Sequence, residues 1–470
     1  LPELLAQVMG GAYRALIGPL ADDWELVSNP MPYGDPNLFQ DDDGRVYLYY
    51  GCSNRNPLWG LELDREKMVP ETAQHNLIEA DPQSRGWERN SENNEENSKA
   101  PWLEGLWLTK HKGRYYLQYA SPGTTLNVYS DAVFTADHPL GPYTGQSHNP
   151  FSFKPGGFIS GAGHGSTFQD EYGNWWHIAT MRISVRHKFE RRLGLWPAGF
   201  DEDGVLFCNT RFGDWPMRMP EGPWDPRRDS FTGWMLLSRK KPVSVSSECQ
   251  EHPAKLAVDE DIRTFWVAAE NDSDPWLSVD LQHEAEIRAL QINFAELECK
   301  EPECVPEPLC HQYIVEGSND GATWETVIDR ADNQNDVPHD YIELSTPCRL
   351  RYLRLRIRHM AANGAPAVCG FRIFGLRQGS APQVPGNVEV IRDQSDPCAA
   401  TVKWTPASDV SGYNVRWGVA PDKLYSDWLV YDSNELTLRC LSAEQNYWFS
   451  VEAFNESGVS PATEPYQAAL

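Results

Sequence analysis

Short runs in which apolar and aromatic residues alternate with polar ones recur along almost the whole chain, each after a turn rich in Asp and Gly. Stretches with helical spacing are nearly absent, so the pattern predicts an all-β protein. Three segments share a tight Gly turn that leads into an aromatic strand: DPNLFQDDDGRVYLYYG around Gly44, EGLWLTKHKGRYYLQYA around Gly113 and HGSTFQDEYGNWWHIAT around Gly173. The turns stand 69 and 60 residues apart, a spacing that suits one propeller blade with its loops. A further turn, DEDGVLF around Gly204, predicts another hairpin inside the last repeat.

The repeats align polar residues as well as turns. Asp35 stands nine residues before Gly44, Glu104 nine before Gly113, and His164 nine before Gly173. In a propeller the first strand of each blade lines the central channel, so equivalent positions converge on one axis. Taken singly, Asp35-Pro36 and Glu104-Gly105 also suit turns at the start of a strand. Their shared offset favours the channel.

Further along, WMLLSRKKPVSVSS, PWLSVDL, YIVEGSNDGATW and RYLRLRI alternate as two-sided strands of a sandwich over residues 229–378. Trp266, Trp276 and Trp324 read there as core-strand residues. The segment GSAPQVPGN marks a boundary, after which residues 384–470 show TVKWTP, YNVRWG and NYWFSVEAFN. Tyr447 fits the tyrosine corner of a Greek-key sandwich. The run SENNEENSK, residues 91–99, reads as a solvated loop near the channel mouth.

Charge narrows the partners. With 41 Lys+Arg against 67 Asp+Glu the formal charge is −26, which repels phosphate backbones and anionic lipid surfaces, so no nucleic acid is expected. No apolar run of about 18 residues occurs, so no membrane insertion is expected. The first residues, Leu1 to Leu5, lack the basic leader of a signal peptide. Cys299, Cys304 and Cys310 share one loop, which permits a local disulfide, and no paired CxxC spacing points to zinc.

DPNLFQDDDGRVYLYYG, EGLWLTKHKGRYYLQYASPGT, GAGHGSTFQDEYGNWWHI and RRLGLWPAGFDEDGVL together resemble glycoside hydrolase family 43, five-bladed propellers that cleave arabinofuranosides and xylosides. Residues 229–378 are similar to coagulation-factor 5/8 type C (discoidin-like) domains, which in bacterial enzymes often bind carbohydrate, and residues 384–470 to fibronectin type III modules. The resemblance implies that residues 1–228 hold about three blades of a five-bladed propeller that lacks its first blades, followed by two β-sandwiches. It assigns the general acid to Glu104 and the pKa-modulating carboxylate to Asp35. It leaves the catalytic base without a counterpart upstream of residue 35, where Asp22 and Asp23 read as a solvated inter-blade loop. The chain taken alone is therefore expected to hydrolyse glycosides poorly.

By the same resemblance His164 lies near the channel centre, close to substrate or to a calcium-bound water network. Arg191, nine residues before Phe200 and next to Arg192, contacts substrate. Trp107 serves either as a sugar platform or in blade packing. No cofactor is required, and a structural calcium is allowed. The expected partner is a polysaccharide or oligosaccharide, and the expected setting is secreted, periplasmic or cell-surface in a bacterium. A non-catalytic glycan-binding protein built on a degenerate propeller is the alternative.

Overall fold

A computed structural model describes residues 34–182, 191–228, 230–299 and 309–468. It is all-β, with only short 3-10 turns between strands. Three four-stranded antiparallel meanders come first. They are β1 to β4 (Asn37–Gln40, Val46–Tyr50, Leu58–Leu63, His75–Ile78), β5 to β8 (Glu104–His111, Arg114–Ser121, Ser130–Ala136, Thr144–Gly145) and β9 to β12 (Ser160–Gln169, Trp175–Arg182, Arg191–Phe200, Leu206–Cys208). Each has the four-stranded form of a propeller blade and is called a blade below, the second and third being joined in one eight-stranded sheet.

The hairpin turns follow from local chemistry. Gly113 and Gly173 have φ of +79° and +81° with open space around them, so backbone conformation alone selects glycine there. Asp170 fixes the Gly173 turn by accepting the N–H groups of Tyr172 and Asn174, both at 2.9 Å. Aromatic strands behind the turns bury the blades: Tyr47, Tyr49, Tyr119 and Trp176 are each at most 2% exposed. The second and third blades are joined by a parallel pairing of Ser130 with Ala162.

The first sandwich, from Met235 to Arg377, is an eight-stranded sheet whose long strands Trp276–Phe294, His339–His359 and Ala367–Arg377 pair side by side. Trp266 is fully buried in its core. Trp276 and Trp324 differ from the core reading: both are half-buried, and the Arg354 guanidinium sits 4.0 Å from the Trp324 ring centre and 5.7 Å from that of Trp276. A long cation on the outer sheet face prefers an aromatic surface to water alone. Of the cysteine loop, residues 300–308 lie outside the described residues.

The second sandwich packs a three-stranded sheet on a five-stranded one. Its tyrosine corner is formed: the Tyr447 hydroxyl accepts the Ser442 N–H at 2.9 Å. Both sandwiches dock on the blades. Phe153 packs edge-on against Trp417 and Trp428. One cluster joins Phe212 and Trp215, which follow the blades, to Phe374 and Phe454.

Candidate active site

The three aligned positions meet at the starts of the blades. Asp35, Glu104 and His164 present side-chain atoms that all lie within 4.8 Å of one another, and all three residues are half-buried. His164 Nδ1 is 3.9 Å from Asp35 Oδ2. Local backbone explains the convergence. Asp35 and His164 have φ of +48° and +56°, and the β9–β10 register shifts at His164 and Gly165, where Gly163 and then Ser166 find partners. Such a bulge redirects a side chain that a regular strand would send elsewhere. Buried Asp131 holds it, one oxygen accepting the His164 N–H and the other the Gly165 N–H, both at 2.8 Å. Gly105 leaves room for the imidazole, since a Cβ there would lie 2.7 Å from the His164 ring.

Glu104 is gripped on both oxygens. The fully buried Tyr129 hydroxyl donates to Oε1 at 2.5 Å, and the Cys52 thiol donates to Oε2 at 3.3 Å. Burial, reinforced by the negative charge of Glu104, raises the Tyr129 phenol far above its ordinary range. Burial and the charges of Asp35 and Glu104 likewise push the Cys52 thiol up. Both groups therefore keep their hydrogens and remain donors. Asp35 Oδ2 is buried with no hydrogen-bond partner, 3.9 Å from His164 Nδ1.

A second layer stands behind. His177 Nε2 lies 3.1 Å from Asp131, at an angle outside that of a formed hydrogen bond. Its Nδ1 lies 3.1 Å from the Thr167 hydroxyl, which donates to Gln118 at 3.0 Å. All four residues are buried, so the bulge rests on a rigid polar support.

Two further expected site residues lie on β5 and β11. Trp107 spends its indole N–H on the Thr167 carbonyl at 3.1 Å, tying the second blade to the third. Arg191 opens β11 opposite Arg182, which in turn pairs with Ser160 at the start of β9. Tyr129, Cys52 and Asp131 are the site residues that sequence reasoning passed over. They sit where β2 ends and β7 begins, positions that the Gly turns do not mark.

The cluster offers two carboxylates, one already engaged on both oxygens, and an imidazole nitrogen. Three such ligand atoms within 4.8 Å of one another could hold a metal ion, and calcium, which takes about six to eight oxygen ligands, would need further ligands besides these. Among the described residues no helix is long and apolar enough to cross a membrane.

Comparisons with known proteins agree with this architecture. Residues 16–206 match the model of glycosyl hydrolases family 43, residues 242–370 that of the F5/8 type C domain, and residues 380–469 that of the fibronectin type III domain. The chain is 30% identical over 172 residues to a β-D-galactofuranosidase of Aspergillus niger, covering 34% of this chain and 42% of that protein. It is 30% identical over 259 residues to a xylan 1,3-β-xylosidase of a Vibrio species, covering 46% of this chain and 44% of that protein. It thus spans about two fifths of the length of these curated relatives. A solved structure titled "Glycoside hydrolase" overlays with a TM-score of 0.38 at 21% identity, covering 75% of this chain and 74% of that one.

Proposed function

We propose that this chain, with its family 43 region, discoidin-like domain and fibronectin type III domain in that order, is part of a glycosidase. Its substrates are arabinofuranosyl or xylosyl linkages of plant-type polysaccharides. The observation that carries the reading is the Asp35–Glu104–His164 cluster at the starts of three blades, with Glu104 held by two permanent donors. Glycosidases with names of this kind among the relatives supply the sugar class.

In an inverting mechanism an acid protonates the departing oxygen while a base, about 6.5–9.5 Å away, activates water on the opposite face. Glu104 is the acid. Once its proton has gone, the Tyr129 hydroxyl and Cys52 thiol receive the new carboxylate without rearrangement, an arrangement that favours proton delivery. Asp35 places a second negative charge beside it and modulates the acid. His164 and Arg191 contact the sugar. The base is not assigned, since the cluster among the described residues holds two carboxylates. The same count favours a second reading, a glycan-binding protein without turnover.

Aryl glycosides with leaving groups of differing acidity separate the two. Glu104→Gln is expected to slow hydrolysis of poor leaving groups by about 10²–10⁴-fold and to spare activated ones. Equal rates for wild type and variant on both substrates would refute the acid assignment. Sugar binding with no turnover by a protein that also carries an upstream Asp-bearing blade would favour the second reading.

A further inference from the structure

Four charged side chains form a ring, and two of them belong to the discoidin-like domain. Arg182, ending β10, lies 2.8 Å from Glu92. Arg263 holds Asp261 through two nitrogens, at 2.9 and 3.1 Å. Asn127 joins these two pairs into one ring. Its N–H donates to Glu92 at 2.7 Å, and its side-chain oxygen accepts from Ser160 at 2.7 Å and from Arg263 at 3.4 Å.

The ring connects to the carboxylate site along the chain. Asn127 is two residues before Tyr129, the donor to Glu104, and Ser160 is four residues before His164 on β9. Asn127 ends a loop that begins beneath Trp102, whose N–H donates to the Pro122 carbonyl at 2.9 Å and whose ring lies over Gly123. Trp102 is two residues before Glu104 and 41% exposed. The second domain cannot slide away from this edge, because Ile262 donates to the Phe158 carbonyl at 3.2 Å, beside the buried Arg372–Glu260 pair.

The chemistry selects a ligand class. Two guanidinium groups and two carboxylates cancel, so the ring does not attract an anionic sugar. Alternating, half-exposed donors and acceptors match vicinal hydroxyls, which both donate and accept. An exposed indole suits the apolar face of a sugar ring. We propose that the ring and Trp102 form a distal subsite for a neutral glycan chain whose terminal residue reaches Glu104. The discoidin-like domain, through Arg263 and Asp261, thereby completes the propeller's substrate surface. The inference rests on the glycosidase reading above.

Calorimetric titration of the whole chain with xylose, xylobiose and xylotetraose, and with the arabinose series, tests it. Affinity is expected to rise with length. Arg263→Ala and Trp102→Ala each lose about tenfold in tetrasaccharide affinity, the worth of one charge-assisted hydrogen bond or one stacked ring, with no change for the monosaccharide. Arg263→Lys keeps the charge but loses the fork, and is expected to fall between. Thermal melts should coincide with wild type for Trp102→Ala, whose ring is exposed. The Arg263→Lys variant, which keeps the charge beside Asp261, controls for any loss of stability in Arg263→Ala. A length-dependent gain that survives in both alanine variants overturns the subsite and leaves the carboxylate site standing. Failure of every sugar, of any length, to bind overturns both readings.

Discussion

Residue 165 must be glycine for want of space. A Cβ there would lie 2.4 Å from the His177 ring and 2.7 Å from Asp131, and those two groups support the bulge that aims His164. Gly165→Ala is expected to cost about 1–3 kcal/mol, as overpacking does in a rigid interior, measured by thermal unfolding. Tyr129→Phe tests the other side of the site. Loss of its hydroxyl leaves Glu104 Oε1 without that donor and is expected to lower kcat by about tenfold, while KM changes little. Asp35, Glu104 and His164 were legible in the sequence because one offset from three turns located them. Cys52, Tyr129 and Asp131 were not, because their contacts to the aligned residues span between 25 and 52 positions of chain and no periodicity records such distances. Trp107 shows the converse: a ring of suitable type near the acid whose N–H is already committed between blades.

Among the elements, the hairpins were the most readable, since a positive φ at glycine is a local demand. The outer strands were the least. Strand β8 is the pair Thr144–Gly145, and β4 reads HNLI with its first two residues exposed, so neither carries an alternating signature. The strand Ser426–Val430 of the last domain makes a prediction of its own. It buries Asp427 at the seam with the blades, where Oδ1 accepts the Thr210 hydroxyl at 2.8 Å and Lys154, Arg416 and Arg211 lie nearby. Burial nevertheless dominates and raises its pKa to about 6, from an ordinary 3.8. The folded state therefore holds this proton more tightly than the unfolded one. The stability it contributes is complete below pH ~4 and is lost as pH rises through about 6, a difference of ~3 kcal/mol. Asp427→Asn keeps a partner for Thr210 without the charge. It should flatten that slope and raise the melting temperature at pH 7, and an unchanged pH profile of unfolding would contradict it.

At the scale of the whole molecule, the order of the three regions was readable from local patterns, and their docking was not. Docking depends on residues far apart in the chain. Lys154 lies 3.0 Å from Asp214, and Arg372 lies 3.6 Å from Asp214 and 2.6 Å from Glu260, all with side chains at most 4% exposed. Lys154 and Asp214 flank the third blade, while Glu260 and Arg372 belong to the discoidin-like domain. Removing one member of a buried charge network strands the others. Arg372→Ala is expected to cost about 3–5 kcal/mol and, in scanning calorimetry, to split one unfolding transition into more than one. A single transition with an unchanged midpoint would show that the domains unfold independently of this network.

The shared cluster of Phe212, Trp215, Phe374 and Phe454 bears on how such a chain can change by recombination. Cassettes joined by flexible tethers can be exchanged between genes with little penalty, because each carries its own complete core. Here the exchange of the last cassette for a foreign one of the same shape would take away Phe454 and leave Phe212 and Trp215 facing water or a mismatched surface. Inheritance as a block, with matched substitutions on both sides of each seam, is the course this packing imposes.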